Sequence, residues 1–345
     1  MENYKNSKIS QYPLDKIIRL LSSILTKYDN IYTTIEKSYI PFLEACNIIK
    51  VMESEKIISV NNEKIEITDK GKKIVEELRV TELIDNKCPL CKGKGLNIEK
   101  YKNFMIKFEE ITKNRPKPVQ NFDQGYVTPI TNFLRISLAE SYGNIKNKKI
   151  LILGDDDLLS IALGLTSLPY EITVFEIDKR IVNYIKDISK EYKLNINPIE
   201  FDLREKVPDY YESYFDTFFS DPPETIDAFK SFIGKGIFAL KKYGGAGYFG
   251  ITLVDASLNK WNNFQKIISN DFNVVITDII RDFNEYENWD YHENTPAYKA
   301  LIIKKQPDRI WYKSTIYRIE TIGSSTGYNE KLDTNILQDE ENATS

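Results

Sequence analysis

The chain has 345 residues, 41% of them hydrophobic and 28% charged, with a formal net charge of −4 and a single histidine. That length allows two domains with a sizeable core, and the acidic balance excludes the global basic field that nucleic acid requires. No apolar run approaches membrane-spanning length, the polar N-terminus is unlike a signal peptide, and three cysteines make no disulfide framework, so a reducing cytoplasm is the expected compartment. One histidine leaves little material for a His-based triad or a multi-His metal site. The abundance of Lys and Glu suits a thermophile's ion-pair networks.

Apolar residues at helical spacing predict a helix over 14–27 (Leu14, Ile17, Ile18, Leu20, Leu21, Ile24, Leu25) and another through Ile40, Phe42, Leu43, Cys46, Ile48 and Ile49. Alternating segments at 57–60 and 64–67, with turn residues between them, predict a hairpin. Thr68 is placed to cap the helix that follows. This order predicts a small winged-helix-like α+β domain over 1–85. Lysines there alternate with acids and form no basic stripe, so DNA binding is not expected, and a wing reused for dimerisation or as a lid fits better. A homodimer is the expected assembly.

Cys88 and Cys91, in Cys88-Pro89-Leu90-Cys91-Lys92-Gly93-Lys94-Gly95, have the spacing of half a zinc knuckle. The second ligand pair is missing, which favours a tight turn with reduced thiols over a shared intersubunit zinc or a redox pair. No metal site is expected. The segment 86–118 continues with a helix over 100–113 and ends in Arg115-Pro116-Lys117-Pro118, linker chemistry that sets a domain boundary.

Thr128 and Pro129 open a helix through Phe133, Leu134, Ile136 and Leu138. Asp123, Gln124 and Tyr126 just upstream are placed to contact a bound donor or acceptor. Lys149 to Leu153 then reads as a buried parallel strand that stops at Gly154 and runs into Asp155-Asp156-Asp157. A nucleotide turn at that position ordinarily presents Gly and bare backbone N–H groups to an anion. Three carboxylates instead attract a cation. Further strands are predicted over 171–178, 199–204, 215–220 and 244–254, with two last ones over 272–280 and 297–303. Glu176 lies where an acid binds ribose hydroxyls, and Asp178 is placed to cap the next helix. Asp202, Asp221 and Glu224 add acids at the same sheet edge, and a polycationic ligand offsets their mutual repulsion.

Gly154-Asp155-Asp156-Asp157-Leu158, Phe175-Glu176-Ile177-Asp178, Phe201-Asp202 and Ser220-Asp221-Pro222-Pro223-Glu224-Thr225 resemble the archaeal and thermophile branched-chain polyamine synthases. The Cys-Pro-x-Cys-x-Gly-x-Gly stretch also suits that family. The resemblance implies a Rossmann-like, class I methyltransferase-like α/β domain over 119–322, with a seven-stranded, mostly parallel sheet. It implies transfer of aminopropyl groups from decarboxylated S-adenosylmethionine to the central amine of spermidine, twice, releasing methylthioadenosine. No resident cofactor is then needed, and the partners are polyamine and nucleoside small molecules. Asp221, Asp156 and Asp157 are the candidate catalytic residues. Gly154, Asp155, Glu176, Asp202 and Gln124 are assigned to the donor, and Asp123, Tyr126, Glu224, Trp289 and Glu293 to the acceptor. The donor lacks the methionine carboxylate, so an acidic loop selects it over ordinary S-adenosylmethionine.

Two other readings compete. An amino-methyltransferase acting on DNA shares Asp-Pro-Pro, but Glu224 stands where an aromatic residue stacks on a flipped base. A winged-helix regulator needs a basic recognition helix. The acidic, aromatic stretch 282–293 is expected to line the acceptor channel or form a loop, and the polar segment 323–345 to be flexible or to order over the site.

Overall fold

The computed structural model describes residues 2–28, 30–61, 63–83 and 91–344. A short α1 (Glu2–Lys5) precedes α2 (Leu14–Leu25), α3 (Ile31–Ser38) and α4 (Phe42–Ser54). An antiparallel hairpin of β1 (Ile58–Asn61) and β2 (Lys64–Ile67) leads to α5 (Asp69–Leu78). Thr68 caps α5 as its sequence position suggests, its hydroxyl accepting from Gly71 N at 3.2 Å. Cys88, Pro89 and Leu90 lie outside the described residues. Among the described residues no group of three or more His, Cys, Asp or Glu is placed to hold a metal, and no helix is long and apolar enough to cross a membrane.

After α6 (Lys102–Thr112) and α7 (Pro129–Ser141), strands and helices alternate: β3 (Lys149–Leu153), α8 (Leu159–Thr166), β4 (Glu171–Glu176), α9 (Lys179–Tyr192), β5 (Ile196–Glu200) and β6 (Thr217–Ser220). Next come α10 (Ile226–Ala239), β7 (Ala246–Ile251), α11 (Leu258–Lys266), β8 (Val275–Glu285), α12 (Pro296–Ala300) and β9 (Lys313–Glu320). The sheet order is β5-β4-β3-β6-β7-β9-β8. Five strands run parallel, and β9 lies antiparallel between β7 and β8. This is the class I methyltransferase-like α/β arrangement. The chain passes from β4 on one side of β3 to β6 on the other, so a crevice opens at the carboxyl end of β3.

Residues 297–303 do not form the strand their apolar run suggests. Thr295 caps a short helix there, with Pro296 in its first turn; that helix packs on α4, and Ala297, Leu301 and Ile303 are buried in one core with α2 and α4 residues such as Leu20, Leu21 and Ile49. Trp289 and Trp311 join the same core. The N-terminal elements therefore close their core with a segment from the far end of the chain. The seventh strand is β9, and β8 continues to Glu285 through residues expected to leave the sheet. The third strand ends at Glu200, which puts Asp202 in the turn beyond it.

Candidate active site

The loop after β3 sorts its three acids by direction. Gly154 takes φ +75°, a left-handed conformation that favours glycine, and Leu158 closes the loop at φ 58°. Asp155 turns inward and caps α8 by accepting from Ser160 N at 3.3 Å; burial pushes its carboxyl up to about 8. Asp157 also turns inward, accepting from Val127 N at 2.6 Å and from Arg135 Nη1 at 2.7 Å. Asp156 accepts from Gly125 N at 3.0 Å and faces the crevice. Burial, then the charges of Asp157 and Glu176, push its carboxyl well above the usual range.

Glu176 ends β4 as a buried bracket for this loop. Its two oxygens accept from Asp155 N at 2.7 Å and Asp178 N at 2.8 Å, and burial raises its carboxyl. Asp178 caps α9 through Arg180 N at 2.9 Å and accepts from Gln124 Nε2 at 3.0 Å. Asp221, past the end of β6, accepts through Oδ2 from Arg135 Nη2 at 2.8 Å and from the Tyr286 hydroxyl. Burial raises its carboxyl, and the Arg135 charge opposes that rise. Glu224 accepts from Thr252 N at 2.9 Å, and burial together with Asp255 raises it strongly.

Two cavities meet at these acids. The larger, about 310 Å³, runs from Gly154 along Phe175, Glu176, Phe201 and Phe232, and the segment Asn335–Leu337 covers it. The smaller, about 50 Å³, is walled by Glu224, Tyr286, Trp289, Tyr291 and Tyr312, with Thr344 at its edge. Asp123, Gln124, Asp156, Pro223 and Asp221 line both. Thr225 holds the covering segment by donating to Ile336 O at 2.6 Å, and Asp255 accepts from Thr344 Oγ1 at 3.3 Å. An apolar and aromatic chamber thus opens through a ring of carboxylates into an aromatic chamber. This suits a nucleoside carrying a cationic arm on one side and a polyamine on the other.

Residues 103–344 match the family model of the branched-chain polyamine synthase A C-terminal domain. The chain is 46% identical to N(4)-bis(aminopropyl)spermidine synthase of Methanocaldococcus jannaschii over 94% of its length and 93% of the relative's. It is 40% identical to the Thermococcus kodakarensis synthase, covering 95% of this chain and 94% of the relative. The chain belongs to the branched-chain polyamine synthase family. A crystal structure of the family's Thermus thermophilus member, in complex with N4-aminopropylspermidine and 5'-methylthioadenosine, superposes with a TM-score of 0.88. It is 32% identical, with 97% of this chain and 95% of that chain covered.

In this member of the family, Gly154, Glu176, Asp202, Gln124, Asp123, Asp156 and Asp221 meet in the larger cavity, while Glu224 and Trp289 line the smaller one. Asp155 and Asp157 line neither; they hold the loop. Tyr126 also stands outside both, its hydroxyl donating to Pro116 O and its ring lying 3.7 Å from the Arg115 guanidinium carbon. Glu293 is exposed and accepts from Gln306 Nε2 at 2.7 Å. Tyr286, Trp289 and Tyr291 of the acidic, aromatic stretch 282–293 line the smaller cavity, and Arg135 and Tyr312 add to the site from outside the sequence candidates. Arg135 had a legible signal, since it is the one charged residue in the apolar stretch Phe133–Ala139. Tyr312 had none, because only the chain crossing between α12 and β9 brings it to the cavity.

Proposed function

We propose that the chain is an aminopropyltransferase that converts spermidine to N4-aminopropylspermidine and then to N4-bis(aminopropyl)spermidine, with decarboxylated S-adenosylmethionine as donor. The observation that carries the reading is the ring of Asp123, Asp156 and Asp221 where the two cavities join. In the proposed pose the nucleoside occupies the larger cavity, with its adenine between apolar and aromatic walls and its ribose near Glu176. The donor's ammonium lies at the acidic ring, where the carboxylate of ordinary S-adenosylmethionine would be repelled.

The acceptor's central nitrogen enters from the aromatic side. Asp221 takes the proton that this amine must lose, and Glu224 and Asp123 hold the flanking ammonium groups. The nitrogen lone pair attacks the propyl carbon bonded to sulfur. A C–N bond forms, the C–S bond breaks with its electron pair on sulfur, and neutral methylthioadenosine leaves. The second round repeats this on a tertiary amine and yields a quaternary ammonium. That centre has no N–H, so the faces of Trp289, Tyr291 and Tyr312 are suited to hold it. Alignment of nitrogen, carbon and sulfur supplies much of the acceleration. Chromatography of mixtures with either donor tests the assignment. Spermidine-dependent methylthioadenosine release from the decarboxylated donor is expected, and methyl transfer from the ordinary donor without that release overturns it.

A further inference from the structure

We infer that Arg135 and Tyr286 form a positioning clamp that holds Asp221 by one carboxylate oxygen and ties it to the donor loop. The inference rests on the role proposed for Asp221. Arg135 is buried inside α7, and each edge of its guanidinium has a separate partner. Nε donates to Asn284 Oδ1 at 2.9 Å, Nη1 to Asp157 Oδ2 at 2.7 Å and Nη2 to Asp221 Oδ2 at 2.8 Å. The Tyr286 hydroxyl donates to the same Asp221 oxygen and lies 3.0 Å from Ser314 Oγ. Ser314 in turn accepts from Asn284 Nδ2 at 2.7 Å. Two donors thus converge on Oδ2 and fix the rotation of the carboxylate, which lines both cavities.

A planar guanidinium can hold three acceptors at once in fixed directions, which a lysine ammonium on a flexible stem does not reproduce. The clamp bridges the loop after β3 to the turn after β6, the two elements that must be in register for in-line attack. It also places one positive charge between Asp157 and Asp221, with Tyr286 as a further titratable neighbour, while Asp156 and Glu224 face Asp221 from the loop after β3 and the turn after β6. Arg135 therefore opposes protonation of Asp221, and its loss would move the onset of activity to higher pH.

Three variants and the pH profile of kcat separate positioning from simple structural support. Arg135→Lys keeps the charge and loses the geometry, so kcat is expected to fall about 10- to 100-fold with the acid limb in place. Arg135→Gln is expected to lower kcat and also move the acid limb up by about one pH unit or more. Tyr286→Phe is expected to lower kcat with a KM for spermidine within about threefold of the parent, since the ring stays. Methylthioadenosine binding and thermal melting of each variant monitor folding. Parent-like kcat and acid limb in folded Arg135 variants would overturn the inference. Should those variants not fold, a parent-like kcat in Tyr286→Phe overturns it, and a lowered kcat supports it. Absence of aminopropyl product from the parent protein would instead refute the proposed function itself.

Discussion

Gly250 offers the sharpest geometric test of the site. It lies in β7 beneath Asp221, and a Cβ built on it falls 2.2 Å from Asp221 Oδ1, 2.7 Å from Ser314 Oγ and 3.1 Å from Asn284 Nδ2. Ordinary contact begins at 3.4 Å, so an alanine methyl would push the Asp221 carboxylate by about 1 Å unless the backbone moves instead. The conformation of Gly250 is not left-handed, so steric crowding is the whole perturbation. A displacement near 1 Å at a proton-accepting group costs on the order of 100-fold in rate. Gly250→Ala should therefore lose about that factor in kcat for spermidine. Its affinity for methylthioadenosine should stay within about threefold, because Gly250 lines neither cavity. Steady-state kinetics with chromatographic detection of methylthioadenosine, alongside calorimetric binding, reads both quantities. A folded Gly250→Ala enzyme with full kcat would refute the argument that Asp221 acts from this position.

Trp289→Leu keeps an apolar wall but removes the largest aromatic face of the smaller cavity. The ratio of doubly to singly extended product should fall several-fold, because the quaternary centre loses cation–π support; an unchanged ratio on product mass spectrometry would count against that role. Asp155 supplies a pH test of stability. Burial pushes its carboxyl up to about 8 in the folded state, from an ordinary value of 3.8, so its contribution to stability falls as pH rises between those values. Asp155→Asn retains an acceptor for Ser160 N and should stabilise the ligand-free protein more at pH 9 than at pH 5. Chemical denaturation showing equal effects at both would contradict the burial argument.

The strand pattern around the Asp-rich loop was legible because β3 and β4 are short apolar runs that end in acids, and those acids sit where the sheet switches direction. The division of labour inside the loop was not legible. Asp155, Asp156 and Asp157 are chemically identical in sequence, and only the left-handed turns at Gly154 and Leu158 aim the middle one at the cavity. Residues 297–303 misled for a different reason: a short apolar run fits a strand or a buried helix equally well until its packing partner is known. That partner is the N-terminal core, some 250 residues away in the chain. The Arg135 clamp is not legible in the sequence because its partners Asp157, Asp221 and Asn284 lie on three separate segments.

The most direct test of the account is to find where the new carbon–nitrogen bonds form. Spermidine incubated with decarboxylated S-adenosylmethionine should gain one and then two aminopropyl units, both on its central nitrogen by NMR, with methylthioadenosine released at each step. Extension at a terminal amine, or methylation by ordinary S-adenosylmethionine, would contradict it.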